Sequence, residues 1–346
     1  MLNNINILLS KVGAVRSEIK PLSLSDIPTV YFEFSCGLEI LYNVLNNYLK
    51  NNSMDAIKKA SGLLFRATKK NNSLIQILKP GIRLSQDTNN LYNMLISEIL
   101  PSWAGWPRRN RSTICHTSYT EAEFYYNRSK TSSSIFFVIP ENNAKLVVCQ
   151  HTDIWMSFKK ISVTRFTKNL AVFLSIFLFI MNDKNMFKTL INGESEFINQ
   201  FINDKEWQEI SADESSYELK NLFVYIETFI KKLNKKDYNS LCDKIIYIFS
   251  NIKYISEDIA FNLNVLGLLN KLRNGEKFIE IFDEIMDPEY NKFDMEYYDK
   301  FVLNIDNYND REVWTESTCL MINFFDYLKD NSKEIKALTD VIYEEI

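Results

Sequence analysis

The sequence predicts an α+β protein: mostly helical, with a small central antiparallel β-containing domain and a long helical C-terminal region. Three observations predict it. Glycine and proline are scarce, at 8 and 7 in 346 residues, so sharp turns are few and long helices are favoured. Apolar residues recur at helical spacing over most of the chain. Two short runs rich in β-formers, Ile135 to Ile139 and Lys145 to Cys149, flank a Glu141-Asn142-Asn143 turn near the middle. A chain of this length accommodates two or three domains. The pattern divides it into a helical N-terminal segment (1–62), a small α+β domain (63–161) and a helical domain (162–346).

Taken in order, residues 1–20 read as an amphipathic helix with Ile5, Leu8, Leu9 and Val12 on one side. Pro21 and Pro28 make 20–29 a connector. Leu38, Leu41, Tyr42, Leu45 and Leu49 then place a helix over Tyr31 to Lys50, and Met54 to Phe65 continues in the same manner. Leu63 to Ala67 is a short apolar run containing Arg66, and Pro80-Gly81 marks a turn. A helix from Asn89 to Leu100 ends at Pro101, and an irregular loop holds Gly105 and Pro107. Ser112 to Thr117 reads as a strand and Tyr119 to Tyr126 as a short helix with Ala122 inward. The runs at 135–139 and 145–149 read as a hairpin. Beyond 162 the pattern is helical, with helices expected near 169–181, 194–203, 215–235, 238–250, 256–272, 276–286, 292–302 and 312–329.

Composition removes several function classes. The formal net charge is -4, so no global basic field draws the chain to nucleic acid or membrane. The five cysteines are odd in number, widely spaced and never in a C-x-x-C pair, which argues against a metal site or a disulfide scaffold and for a reducing, cytoplasmic compartment. No basic stretch followed by an apolar core opens the chain. Asn169 to Met181 is the most apolar run, but about a dozen apolar residues fall short of the roughly 20 that span a bilayer. A core helix, with no transmembrane segment, is the expectation. Glycine-rich phosphate loops, G-x-S-x-G and H-E-x-x-H do not occur.

The stretch from Trp103 to Phe158 carries the chemistry-bearing residues. Leu64-Phe65-Arg66-Ala67-Thr68 ends an apolar run in an arginine. His116-Thr117-Ser118 closes a strand and leads into Tyr119-Thr120-Glu121-Ala122-Glu123-Phe124-Tyr125-Tyr126; the strand Ile135 to Ile139 and the turn Glu141 to Lys145 follow. This order resembles the ADP-ribosyltransferase family, in particular its bacteriophage and toxin-like branch, over about residues 63–160. The resemblance implies NAD as cofactor, with Arg66 holding it, Thr117 and Ser118 lining the nicotinamide pocket, and a carboxylate nearby as catalytic group. A guanidinium grips phosphate or ribose oxygens with forked hydrogen bonds. A carboxylate stabilises the positive charge that develops on the ribose as the nicotinamide bond breaks. Ala67 stands where the family has glycine, and His116 where it has serine. Of the family's Glu-x-Glu, the literal match Glu194-Ser195-Glu196 lies far along in helical sequence, and Asp153 is the nearer carboxylate.

Other readings of the same residues stay open. Arg108, Arg109 and Arg111 form a local positive cluster, the one route to a nucleic-acid or acidic partner, or else an intramolecular salt-bridge set. Trp103 and Trp106 suit base stacking or the plugging of a sheet. His116 and His151, the only histidines, make a poor zinc site and read as structural. Two function classes follow. One is an NAD-dependent ADP-ribosyltransferase acting on a host macromolecule in the host cytoplasm. The other is a non-enzymatic phage structural or virion-associated protein, whose helical half docks onto an assembly of host or phage proteins. The asparagine-rich composition fits an AT-rich genome.

Overall fold

Nine strands form one sheet among the described residues, which in the computed structural model are 17–58, 62–69, 73–82, 90–128, 133–161, 163–182, 186–192, 216–251, 265–303 and 308–346. The strands are β1 (Glu18–Leu22), β2 (Leu64–Lys69), β3 (Ile75–Lys79), β4 (Thr113–His116), β5 (Ser133–Pro140), β6 (Lys145–Val148), β7 (Asp294–Tyr297), β8 (Glu312–Thr315) and β9 (Cys319–Asn323). Their order is β1-β3-β9-β5-β2-β4-β8-β6-β7, and every pairing among the described residues is antiparallel. The protein is thus mixed α and β. The sheet is large, however, and not the small central domain that the sequence suggests. It takes β1 from before residue 63 and β7, β8 and β9 from after residue 162, so a long, purely helical C-terminal region is not what forms.

The reason lies in strand length and burial. β7 and β8 are four residues each, too short to display a period of two. β8 and β9 are buried throughout, so they lack the polar alternation of a half-exposed strand. The helix expected at 312–329 is instead β8, β9 and a π-helical turn at Phe324–Leu328. The one expected at 292–302 is β7 followed by a short helix. The 135–139 and 145–149 runs are strands, yet they do not pair as a hairpin. Both edges of β5 are taken, by β2 and β9, and β6 pairs with β7 and β8.

Two compact units divide the described residues. The one holding the sheet gathers residues between 12 and 83, between 105 and 157 and between 292 and 346. Its helices are α1 (Ile27–Asn51), α2 (Tyr119–Arg128), α3 (Ile154–Ser157), α4 (Tyr298–Leu303) and α5 (Ser332–Glu345), besides a single turn at Asp55–Lys58. Tyr31, Phe34, Leu38, Leu41, Leu45 and Tyr48 give α1 a buried stripe at steps of three and four. Pro28 does not precede this helix as a connector residue. It sits in the first turn, where a missing N–H costs nothing. Gly37 allows α1 to approach β5 closely: a Cβ there would lie 2.3 Å from Ile139 Cγ2 and 2.7 Å from the Tyr298 hydroxyl.

The sheet must also curl. β8 and β9 follow each other through residues 316–318, yet β5, β2 and β4 lie between them. Four flat strand spacings would span about 19 Å, whereas four chain steps reach at most about 14 Å. Only a curved sheet brings the end of β8 to the start of β9.

The second unit, between 84 and 104 and between 158 and 291, is helical in its described parts. Val163–Asn182 is the expected core helix, buried from Leu170 to Phe177. No helix among the described residues is long and apolar enough to cross a membrane. Phe223 stacks on Phe278 at 4.7 Å, and the buried Glu227 accepts from the Phe278 amide at 2.9 Å, capping the helix Phe278–Met286. Trp103 is a structural plug here; its indole N–H donates to the Met286 carbonyl at 2.8 Å. The helices expected at 1–20 and 194–203, and Glu194-Ser195-Glu196, lie outside the described residues, except that residues 18–20 belong to β1.

Candidate functional site

The polar residues of the sheet unit converge where β4 meets β8. His116 and Glu312 are direct Cα partners across these strands, so both side chains rise from one face. Both are buried, at 7% and 3% exposure. A buried carboxylate needs a partner, and Arg109 supplies one: its Nε and Nη2 donate to Glu312 Oε1 at 3.1 and 2.9 Å. Glu312 Oε2 accepts a single long bond from the Ile154 amide at 3.4 Å. The backbone of Glu312 is pinned as well, its N–H to the His151 carbonyl and its carbonyl to the Cys149 N–H.

Around this pair stand His116, Tyr125 and Asp153. Tyr125 comes from α2 and stacks on His116 at 5.1 Å between ring centres. Arg128, one turn on, lies with its Cζ 5.6 Å from the Tyr125 ring and 4.6 Å from Phe124. Asp153 immediately precedes α3 and accepts from the Trp155 amide at 2.9 Å. Burial raises the Asp153 carboxyl above its ordinary range, and the Glu312 charge adds to the rise. Burial lowers the His116 pKa against the opposing pull of Glu312, and the buried Nδ1 has no hydrogen-bond partner among the described residues. Burial, then the Asp153 and Glu312 charges, push the Tyr125 hydroxyl up to about 12.

The loop before β4 is a clamp on β8. The Pro107 carbonyl accepts from the Trp314 indole at 2.9 Å. The Arg108 guanidinium meets Glu316 at 3.0 Å, and its backbone N–H also donates to that carboxylate. Arg109 meets Glu312. Residues 312, 314 and 316 alternate along the chain, so three consecutive loop residues engage one face of β8 and its continuation. Two of the three clustered arginines are therefore spent on intramolecular ion pairs.

The other residues singled out in the sequence fall as follows. Arg66 is on β2, next to Phe65, whose Cα partner is His116. It is half-buried, its charge reaches Cys115 and His116, and no hydrogen bond or ion pair to a described residue holds it. Thr117 follows β4 directly, but its hydroxyl is occupied: it donates to the Tyr308 carbonyl at 2.7 Å and accepts from the Arg311 amide at 2.9 Å. Ser118 Oγ accepts from the Thr120 amide at the start of α2. His151 is exposed. All five cysteines are free thiols, and among the described residues no group of three His, Cys, Asp or Glu could hold a metal.

Sequence reasoning missed Glu312 and the pairing of Arg109. The signal available was Asp310-Arg311-Glu312, an acidic-x-Glu triplet leading into Val313-Trp314-Thr315, a run of strand formers. No protein-family model, curated protein or solved structure matches this chain.

Proposed function

We propose that the sheet unit is an ADP-ribosyl-transfer scaffold that takes NAD and modifies a host macromolecule. The observation that carries this reading is the adjacency of β2, β4 and β8. The His116-Thr117-Ser118 strand end on β4 and a carboxylate (Glu312) directly across from His116 on β8 share one face, while the cation of the adjoining β2, Arg66, follows Phe65 and so projects from the other face. The resemblance gives Arg66 a dinucleotide's diphosphate or ribose oxygens to hold, and this is the weakest part of the reading, because Arg66 and Glu312 belong to opposite faces of the sheet. The orphaned Nδ1 of His116 is a further polar atom that a bound group would satisfy.

The chemistry asked of these groups is limited. When the ribose–nicotinamide bond breaks, its electron pair leaves with the nicotinamide nitrogen, and positive charge develops on the ribose. Glu312 faces that charge, and the acceptor's lone pair closes the new bond to the ribose carbon. Asp153, raised in pKa by burial and by Glu312, is placed to take the acceptor's proton.

Incubating the protein with labelled NAD and a host lysate tests the reading. Label transfer is expected, with a loss of ~10²-fold or more in Glu312→Gln and weakened NAD use in Arg66→Ala. A second reading has its own support: Thr117 is consumed by Tyr308 and Arg311, and Glu312 is buried in an ion pair. Both suit a non-enzymatic unit of a phage-type structural protein. No transfer by the wild-type chain, with Arg66→Ala indistinguishable from it, selects that second reading.

A further inference from the structure

The geometry points to Arg109 as a positioning residue for Glu312, clamping Oε1 so that Oε2 is the oxygen left for chemistry. The inference rests on reading this site as one that cleaves NAD. An ionised carboxylate has about four lone-pair sites shared between two oxygens. Two guanidinium N–H groups, at 3.1 and 2.9 Å, converge on Oε1. Oε2 receives one bond, and that at 3.4 Å. The acceptor capacity that remains is therefore on Oε2.

Arg109 is itself fixed for this task. It is 6% exposed, so neither solvent nor a surface partner is its natural counterpart. Its guanidinium carbon lies 5.8 Å from the Trp314 ring centre, and Trp314 is tied back to Pro107, two residues before Arg109 in the same loop. A shift of the guanidinium would disturb the Pro107–Trp314 and Arg108–Glu316 contacts on either side. Lysine keeps the charge but cannot present two N–H groups in a fixed plane. The clamp thus supplies orientation as well as charge.

Release of nicotinamide from NAD by the full-length chain provides the test. Arg109→Lys is expected to lower kcat by ~10²-fold, the cost of a misplaced reacting group, with KM little changed. Because Arg109 acts through Glu312, Arg109→Lys/Glu312→Gln should be no slower than Glu312→Gln alone. Trp314→Phe, which removes the bond to Pro107 and leaves Arg109 in place, should lower kcat by less, again with KM little changed. That variant decides the matter if Arg109→Lys does not fold. An active wild type with unchanged kcat in these variants, a loss that falls on KM instead of kcat, or an additive loss in the double variant overturns the inference and leaves the functional reading standing. A wild type that releases no nicotinamide overturns the functional reading itself, and the inference with it.

Discussion

The middle of the sheet and its β4–β8 region are sealed by opposite means. At β5 and β9 the seal is hydrocarbon: Phe137 lies 5.6 Å from Phe65 and 5.0 Å from Phe324, ring to ring. At β4 and β8 it is charge: Arg109 and Glu312 are buried as deeply as many apolar residues. Apolar packing tolerates loss in proportion to volume removed. A buried ion pair does not, since removing one partner strands the other in a low dielectric. The β4–β8 region therefore rests on mutual satisfaction, which is how a protein keeps reactive groups out of water.

The largest expected effect breaks this comparison most directly. Arg109→Met should cost about 3–5 kcal/mol, by leaving Glu312 unpaired, and Phe137→Ala should cost a similar about 3–5 kcal/mol, by leaving a cavity. The two should part on rescue. Arg109→Met/Glu312→Met should recover most of the loss, because an apolar pair replaces the ion pair, whereas Phe137→Ala has no such simple complement. Urea unfolding of the set measures this; a double variant as unstable as Arg109→Met would show that the charges are not each other's main partners.

A smaller effect sharpens the electrostatic side. The folded pKa of Asp153 is raised above its ordinary 3.8, so the native state binds its proton more tightly than the unfolded chain. Its contribution to stability is full below 3.8 and is lost as pH rises through the folded value. Asp153→Asn keeps an acceptor for the Trp155 amide and removes the buried charge. It should raise the melting temperature at neutral pH, and the gain should vanish as pH falls to ~4. An equal gain at both pH values would assign the effect to packing.

The smallest effect comes from the neighbouring arginine. Arg108 and Glu316 are 40% and 31% exposed, so Arg108→Met should cost no more than about 1 kcal/mol. Two consecutive arginines facing two glutamates of one chain segment would then differ severalfold in consequence, through burial alone. Equal costs for Arg108→Met and Arg109→Met would remove that explanation.

Helices with a wet and a dry face were legible in the sequence. α1, Ser216–Lys232 and Lys235–Asn251 fall close to where their periodicity places them. The fully buried β5 was legible as well, through its β-branched and aromatic run. β7 and β8 were not, because four residues cannot show a period, and neither was β1, whose Pro21 signals a break and whose residues are mostly exposed. Of the site, the Pro107–Arg111 loop and His116 stood out for their residue types. Glu312, nearly two hundred residues later, carried no local mark beyond its acidic triplet.

Local sequence by itself determined which stretches are amphipathic helices, that β5 is an interior strand, and that one loop concentrates arginine. Those properties depend on neighbours a few residues apart. Tertiary structure alone decided that the strand order is β5-β2-β4-β8, that Arg109 and not Arg108 is the buried cation, and that Glu312 stands across from His116. Each of these depends on pairings between distant segments, and a carboxylate's burial and charge partner come from the strands that close over it, not from the residues beside it in the chain.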